Sequence, residues 1–311
     1  MSKKILVSGS AGYLGTVLVP KLVESSYEIT CLDRFSRGVD DFINIVGKDV
    51  NIIKKDIREV ELSALKDIEC VIDLSARRKS NDDSKINDVF DINLHGRTRL
   101  AKLSKQANIR KYIRISGTNV YGQQEKIVDE NSNVFPSTNY SKANLNAEIE
   151  VLKLNDNDFD VTCLRLPSVF GYSPYMRWDQ AISAMVMSLY QTGKIHVNGK
   201  SHRRPFLHIL DFVNACQIIL KTSEKKIKGE LFNVGSDDLN YDMATLAIEI
   251  KNSIDKKIEI ELNDKPDTES HTVSFKKIKQ VLGFETQYKI KFGVLEIFNK
   301  LESGILKIPV K

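Results

Sequence analysis

The chain has 311 residues, 41% of them hydrophobic and 28% charged, which is enough apolar material for one large domain or two modest ones. No apolar run reaches the roughly 18 residues of a membrane span, and the first residues lead into a strand-like segment rather than a signal peptide, so we expect a cytoplasmic protein. The net charge of +5 comes from scattered lysines, which favours a solvated basic surface over nucleic-acid binding. Four separated cysteines lie among apolar residues, and we expect buried thiols rather than disulfides or a metal site: Cys31, Cys70, Cys163 and Cys216.

Short β-rich runs and helical patterns alternate through the first half of the chain. The predicted strands are 5–7, 29–32, 51–53, 70–74, 112–115 and 161–166, and the predicted helices are 13–23, 86–107 and about 140–154. This alternation predicts an α/β fold with a doubly wound parallel sheet covered on both faces. The last third has shorter elements and loops rich in Gly and Pro, which predicts a smaller mixed C-terminal lobe.

A glycine-rich turn follows the first predicted strand and opens the first predicted helix. Gly9 permits the tight turn, Gly12 lets a pyrophosphate approach the backbone, and Gly15 lets the helix pack closely on the strand. The helix N-terminus then supplies amide donors and the positive end of its dipole. We therefore expect a dinucleotide to be bound by Gly9, Ala11, Gly12, Tyr13, Leu14 and Gly15.

An acidic residue ends the second predicted strand. Asp33 is expected to accept both ribose hydroxyls of the adenosine, and its charge would repel a 2′-phosphate, which predicts NAD rather than NADP. Arg34 and Arg37 argue the other way, because either can pair with such a phosphate. Asp56 and Ile57 follow the third strand. Two interpretations of this position are open: the pair hydrogen-bonds the adenine amino group, or it forms an ordinary polar turn.

The pattern Gly-x-x-Gly-x-x-Gly resembles the short-chain dehydrogenase/reductase superfamily, and later segments resemble its extended branch, the NAD-dependent epimerase/dehydratase family. Those segments are 71–76, Asn93, 120–122, 165–171, 203–211 and 229–235. The resemblance implies a Rossmann NAD-binding domain over 1–170 with a returning segment at about 205–235, a substrate-binding lobe over 171–204 and 236–311, and a homodimer. It also implies cofactor contacts by Leu74, Ser75, Ala76, Asn93 and Pro167.

The family oxidises a sugar hydroxyl, usually at C4, with a tyrosinate as base, a Ser or Thr that holds the hydroxyl, and a lysine four residues after the tyrosine. The tyrosine matches Tyr140, but the lysine position holds Asn144. The usual Ser or Thr position holds Gly117, and the flanking Ser116 and Thr118 are the candidates for its hydroxyl. The resemblance therefore implies a damaged catalytic triad.

Loss of the lysine removes a charge that the chemistry needs. A free tyrosine has a pKa near ~10 and is a poor base at neutral pH unless positive charge lies beside it. Asn144 can hydrogen-bond a ribose hydroxyl but carries no charge. Lys142 lies two residues from Tyr140, on another face of a regular helix, and would substitute only if the first helical turn were irregular. We expect slow hydride chemistry or an alkaline pH dependence.

Residues of the predicted substrate lobe match positions that contact a nucleoside diphosphate in the family. Arg204 matches its diphosphate-binding arginine, a role that suits the bidentate guanidinium, and Arg177 is a second candidate. Ser168 stands where an asparagine is common. Glu269 stands near the position where relatives carry an arginine, and its negative charge would repel a phosphate. Lys265 is the candidate to replace that arginine.

These observations favour an enzyme that acts on a nucleoside-diphosphate sugar as a 4-epimerase or a C4 oxidase/reductase. A 4,6-dehydratase ranks lowest, because such enzymes usually carry an acidic pair, Asp-Glu, after the Thr at the strand end, and Thr118 and Asn119 replace that pair here. The alternative is a non-catalytic NAD-binding regulatory or partner protein, supported by Asn144 and Gly117. The resemblance implies a role in supplying sugars for polysaccharides or secondary metabolites.

Overall fold

The computed structural model describes residues 3–77, 86–264 and 269–308. Its strands, β1 to β14 in chain order, are Lys4–Ser8, Glu28–Asp33, Val50–Lys54, Cys70–Asp73, Lys111–Gly117, Ile127–Val128, Asp160–Leu166, Ser168–Phe170, Lys194–Asn198, Arg203–His208, Leu231–Asn233, Asn240–Asp242, Glu259–Asn263 and Thr272–Val273.

The α-helices, α1 to α11 in chain order, are Gly15–Glu24, Val39–Val46, Ile86–Phe90, Arg97–Gln106, Asn139–Leu152, Ala181–Thr192, Ile209–Lys221, Glu224–Ile227, Met243–Ser253, Lys276–Leu282 and Ile290–Glu302. A π-helical segment, Asp91–Gly96, joins α3 to α4. Short 3₁₀ turns cover Ile57–Glu59, Leu62–Leu65, Thr118–Tyr121 and Asp237–Leu239. Within the described ranges, no helix is both long and apolar enough to span a membrane.

The central sheet has seven strands in the order β11-β7-β5-β4-β1-β2-β3. The pairs that join β3, β2, β1, β4 and β5 are all parallel. Every residue of β4 and β7 is buried, as expected for strands covered on both faces. The predicted α/β fold with a doubly wound sheet is confirmed.

A hydrophobic core joins the sheet to helices α4 and α5. Leu6, Val71 and Tyr112 come from β1, β4 and β5, and they cluster with Leu100 of α4 and Val151 of α5. The periodic apolar residues that predicted these helices therefore supply the side chains that fix them on the sheet.

The helix predicted over 86–107 is found as three consecutive segments, α3, the π-helical segment and α4. Hydrophobic periodicity alone does not distinguish a π turn from an α turn, so this feature was not predicted. Helix α2 was also not predicted, because only Phe42 and Val46 of its eight residues are buried.

The chain forms two compact units. The first comprises 1–120, 136–165 and 217–232, and the second comprises 121–135, 166–216 and 233–311. These bounds differ from the predicted ones at three places. Residues 121–135 and 166–170 belong to the second unit, and the segment that returns to the first unit begins at residue 217 rather than at about 205.

The second unit contains three small sheets. These are β12-β10-β8, β13-β9 and β14-β6. Gly283 ends α10 in the left-handed conformation with φ 65°, as is common for a glycine after the last helical residue. All four cysteines are buried and free, as expected.

Candidate functional site

The glycine loop of the first unit has a backbone that side chains would disrupt. Gly9 has φ +71°, and a Cβ there would lie 2.8 Å from the carbonyl carbon of Leu74. A Cβ at Gly15 would lie 2.2 Å from the carbonyl oxygen of Ser10. Leu14, at the N-cap of α1, offers no side-chain acceptor to the first-turn amides. The loop therefore presents a backbone surface and a helix N-terminus, the combination that binds phosphates.

The Asp33 carboxylate is fixed against this loop. Its Oδ2 accepts a hydrogen bond from the amide of Ala11 at 3.1 Å, and its Oδ1 accepts one from the amide of Phe35 at 3.0 Å. Arg34 lies 4.0 Å from Asp56 rather than beside Asp33, and its side chain is half exposed. The Asp33 carboxylate is therefore fixed in position at the end of β2, where its negative charge is expected to repel a 2′-phosphate.

Asp56 forms the polar turn that was one of its two predicted roles. It caps the 3₁₀ turn Ile57–Glu59 and accepts hydrogen bonds from the backbone and side chain of Arg58 at 2.9–3.0 Å. These hydrogen bonds lower the pKa of the Asp56 carboxyl. Both carboxylate oxygens are thus already engaged. Reading of an adenine amino group by this turn remains a prediction.

The segment after β4 is held by the asparagine of the π-helical segment. Asn93 is buried, its Oδ1 accepts from the Arg77 amide at 2.6 Å, and its Nδ2 donates to the Arg77 carbonyl at 3.0 Å. The Leu74 amide donates to the Ser8 carbonyl at 3.0 Å, which ties the segment to β1. Leu74, Ser75 and Ala76 are thereby fixed beside the glycine loop.

The candidate catalytic residues of the first unit lie at the end of β5 and at the start of α5. Thr138 and Ser141 form a capping box that starts α5 directly before Tyr140, which confirms the predicted helix start. Ser116 and Thr118 are both buried, and the Ser116 hydroxyl has no hydrogen-bond partner among the described residues.

Asn144 lies one turn after Tyr140 on the regular helix α5. It is 2% exposed, and its side-chain oxygen Oδ1 has no hydrogen-bond partner in the described part of the chain. Lys142 is exposed, and α5 is α-helical from Asn139 onward. The condition under which Lys142 would replace the missing lysine, an irregular first turn, is therefore not met.

A buried group of charges was missed by the sequence reasoning. Asp73, Arg97 and Arg114 come from β4, α4 and β5, and each is at most 2% exposed. Arg97 Nε lies 2.7 Å and Arg114 Nη1 lies 3.4 Å from Asp73 Oδ2. A charged residue within a predicted buried strand was the available signal, because ionised side chains are seldom buried without a partner.

The second unit contains the predicted substrate residues. Arg204 lies on β10, with its Nη1 3.9 Å from Oε2 of the buried Glu269. Arg177 forms a two-contact ion pair with Asp179, at 3.2 and 2.5 Å. Ser168 begins β8, directly after Pro167. Lys265 lies outside the described residues.

The chain matches a known family model and many known proteins. The model is that of the NAD dependent epimerase/dehydratase family, and it matches residues 5–235. A putative UDP-glucose 4-epimerase of Methanocaldococcus jannaschii is 28% identical over 96% of this chain and 99% of its own length. The UDP-glucose 4-epimerase of Mycolicibacterium smegmatis is 27% identical, with 75% and 77% of the two chains covered.

Solved structures share the fold. The UDP-glucuronic acid 4-epimerase of Bacillus cereus, in complex with UDP-glucuronic acid and NAD, has a TM-score of 0.84 at 22% identity over 96% of this chain and 99% of that one. The UDP-N-acetylglucosamine 4-epimerase of Methanobrevibacter ruminantium has a TM-score of 0.83 at 20% identity over 97% and 99%. With the family model matching most of its length, this chain belongs to the NAD dependent epimerase/dehydratase family.

Proposed function

We propose that this protein binds NAD and oxidises C4 of a nucleoside-diphosphate sugar, either transiently, as a 4-epimerase, or with net release of product, as a C4 oxidase/reductase. The observation that carries the proposal is the conjunction, in one compact unit, of the glycine loop with its fixed Asp33 and of Tyr140 at the capped start of α5. Family membership supports it, and so do the 4-epimerases among the relatives.

The residues of the first unit fit NAD. Gly9 and Gly15 let the loop pack directly against the backbone of Leu74 and Ser10, where a Cβ would collide, and this packing keeps the tight turn that leads into α1. The amides at the start of α1 are then proposed to bind the diphosphate. Asp33 is proposed to accept the hydroxyls of the adenosine ribose. The remaining proposed contacts from this unit are those of Ala11, Gly12, Tyr13, Leu14, Arg34, Asp56, Ile57, Leu74, Ser75, Ala76 and Asn93.

NAD, when bound, supplies an acceptor for the hydride that leaves C4. Tyr140 is proposed to take the proton from the C4 hydroxyl, and Ser116 or Thr118 to hold that hydroxyl by a hydrogen bond. Both candidate hydroxyls are buried at the end of β5, where little water competes for them. Asn144 is proposed to use its unpartnered Oδ1 to accept a hydrogen bond from the cofactor ribose.

The triad of this chain is proposed to work slowly or at alkaline pH. A neutral Asn144 stabilises a tyrosinate less than a lysine would, so less of Tyr140 is in its basic form at neutral pH. The rate of hydride transfer is then expected to rise as the pH increases. The same substitution supports the second candidate function, a non-catalytic NAD-binding partner.

The substrate is proposed to be a UDP-sugar, because several relatives are named as epimerases of UDP-glucose, UDP-glucuronic acid or UDP-N-acetylglucosamine. Arg204 and Arg177 in the second unit, with Ser168, are proposed to bind the diphosphate. We further propose a cytoplasmic homodimer that supplies sugars for polysaccharide synthesis, as the resemblance implies.

The test is product analysis with the purified protein and NAD. UDP-glucose, UDP-glucuronic acid and UDP-N-acetylglucosamine are incubated separately, and proton NMR follows the C4 configuration of each sugar. We expect at least one sugar to be converted to its C4 epimer or to a 4-keto product, and Tyr140→Phe to abolish that conversion. Bound NAD with no conversion at any pH would favour the non-catalytic candidate.

A further inference from the structure

Helix α11 contacts a buried histidine of strand β10, and both elements belong to the second unit. His208 is fully buried, and its Nδ1 accepts a hydrogen bond from the Leu210 amide at 3.3 Å. Because Nδ1 accepts, the ring proton is on Nε2, which lies 3.3 Å from Oε2 of Glu296 on α11 and donates to it. The backbone at the start of α7 therefore selects the tautomer that can bind Glu296.

The same carboxylate holds the segment that follows β8. Glu296 Oε2 also accepts a hydrogen bond from the Tyr172 amide at 2.8 Å. The ammonium of Lys300, one turn further along α11, lies 4.1 Å from the centre of the Tyr172 ring. We call residues 171–180, between β8 and α6, the substrate segment, because they include the proposed diphosphate ligand Arg177.

Two glycines make room for His208 on the elements that it joins. Gly171, in the substrate segment, has φ +111°, and a Cβ there would lie 2.5 Å from His208 Nε2. A Cβ at Gly293 of α11 would lie 2.6 Å from the ring of Phe170 and 3.1 Å from that of His208. A larger residue at either position would push the substrate segment or α11 away from the imidazole.

The other proposed diphosphate ligands lie on the two strands that end at this contact. Strands β8 and β10 pair in parallel, and His208 lies opposite the last residue of β8. Ser168 begins β8, and Arg204 is the second residue of β10. Both strands and the substrate segment are therefore tied together where His208 contacts α11.

Packing alone does not require a polar pair at this position. Three aromatic rings contact the imidazole, with centroid distances of 5.1, 4.8 and 5.3 Å: Phe170, Tyr288 and Phe292. An apolar side chain would pack among these rings at lower cost, because a buried polar pair must be desolvated. A directional hydrogen bond, in contrast, fixes one orientation of the elements that it joins.

We propose that His208 and Glu296 are positioning residues for the substrate, because their hydrogen bond fixes the substrate segment against α11 and so holds Arg177 ready for the diphosphate. A ligand binds more tightly to groups that are already ordered, since less ordering is needed when it arrives. The inference rests on the proposed function, in which Arg177 binds the diphosphate of a UDP-sugar. The pair itself takes no part in the hydride transfer.

Two replacements of the histidine separate its two hydrogen bonds. The amide nitrogen of glutamine lies near the position of Nε2, so His208→Gln can still donate to Glu296. The shorter His208→Asn can accept from Leu210 but does not reach Glu296. His196→Asn is the matched control, because His196 forms an exposed pair with Glu261, at 2.9 Å, in a different sheet.

The first readout needs no ligand. Trp178 is the only tryptophan of the chain and lies in the substrate segment, so acrylamide quenching of its fluorescence reports how firmly this segment is held. Hydrogen exchange followed by mass spectrometry reports the Tyr172 amide. In His208→Asn we expect faster quenching and exchange that is about tenfold faster or more, with wild-type values in His208→Gln and His196→Asn.

The second readout is the affinity for UDP, measured by calorimetry at a temperature where every variant is folded. We expect UDP to bind roughly tenfold more weakly to His208→Asn, and with wild-type affinity to His208→Gln and His196→Asn. The affinity for NAD should not change in His208→Asn, because the proposed NAD contacts lie outside the substrate segment. A general loss of structure would weaken the binding of both ligands.

Wild-type quenching and exchange in His208→Asn would overturn the inference, and so would faster exchange with an unchanged affinity for UDP. If the wild-type protein binds no UDP, the proposed substrate is wrong, whereas the ligand-free readout still decides whether the pair fixes the segment. If His208→Asn fails to fold, the same measurements on Glu296→Ala decide, because Glu296 is only half-buried.

Discussion

At the scale of single residues, the identity of residue 144 decides how the candidate site can work. Asn144→Lys places an ammonium one turn from Tyr140, where it would stabilise the tyrosinate. We predict that the rate at neutral pH rises at least about tenfold and that the rising limb of the pH–rate profile moves to lower pH, the equivalent of about one pH unit.

The control for this variant is Asn146→Lys, which adds the same charge to an exposed position of α5. Its profile should match that of the wild type. If Asn144→Lys also matches the wild type, the idea that the missing lysine limits this chain is wrong.

A second residue-scale prediction concerns the charge beside Arg204. Glu269 Oε2 lies 3.9 Å from Arg204 Nη1, and the Glu269 charge is proposed to oppose an incoming diphosphate. Glu269→Gln removes that opposition at nearly constant shape, and we predict that UDP binds about three- to tenfold more tightly, as measured by calorimetry. Glu261→Gln, which removes an exposed carboxylate paired with Lys194, should leave the affinity unchanged. Weaker binding of UDP to Glu269→Gln would show that Glu269 helps the ligand.

Sequence reasoning found the residues whose chemistry follows from their position in a pattern. Gly9, Gly15 and Asp33 could be predicted because a strand-turn-helix context fixes what each must do. Arg97 and Arg114 could not be assigned a role, because their partner Asp73 is distant in sequence and only the packing of β4, β5 and α4 brings the three together.

At the scale of elements, the π-helical segment Asp91–Gly96 positions Asn93 to hold the chain after β4. Asn93→Ala removes the two hydrogen bonds that the buried Asn93 side chain makes to the Arg77 amide and carbonyl. We predict a loss of about 1–3 kcal/mol in the free energy of unfolding, measured by urea denaturation, and weaker NAD binding. Asn146→Ala, on the exposed face of α5, should change neither quantity appreciably. Unchanged NAD affinity in Asn93→Ala would contradict the positioning role.

The elements that could be predicted are those whose burial gives a clear apolar pattern. Strands β4, β5 and β7 are buried on both faces and appear in the sequence as short runs rich in apolar residues, interrupted by a few charged ones such as Asp73, Arg114 and Arg165. The change from α to π geometry at residues 91–96 leaves the same apolar face in place, so no period reveals it.

At the scale of the whole molecule, one buried carboxyl links stability to pH. Burial raises the pKa of Asp160 to about 6, and neither of its carboxylate oxygens has a hydrogen-bond partner in the described residues. The unfolded value is about 3.9, so between these values the native state binds more protons than the unfolded state. Stability is therefore expected to fall as the pH rises from about 4 to 6, by at most about 1–3 kcal/mol.

Asp160→Asn should remove this pH dependence. We predict that the variant gains free energy of unfolding relative to the wild type on going from about pH 4 to about pH 8, by the same 1–3 kcal/mol. Urea denaturation at both values measures it. Asp158→Asn, an exposed change two residues before the start of β7, is the control. If the free energies of unfolding of Asp160→Asn and the wild type differ by the same amount at both pH values, Asp160 does not titrate in this range.

The division into two units could be predicted in outline, but not at its boundaries. Residues 121–135 follow β5 directly, so position along the chain assigns them to the first domain. The structure places them in the second unit, where the Tyr121 hydroxyl donates to Asn233 at 2.9 Å and the Gly122 carbonyl lies 3.0 Å from His271 Nδ1. These partners are more than a hundred residues away, and no local pattern indicates them.

The most direct test of the account follows the hydrogen that leaves C4. The protein with bound NAD is mixed with a UDP-sugar that carries deuterium at C4 and is then denatured, and mass spectrometry examines the released nicotinamide cofactor and the sugar. The account predicts deuterium on released NADH, or a C4 epimer that has regained it, and neither in Tyr140→Phe. Released NAD without deuterium beside unchanged UDP-sugar, for every sugar tested and at alkaline as well as neutral pH, would contradict it.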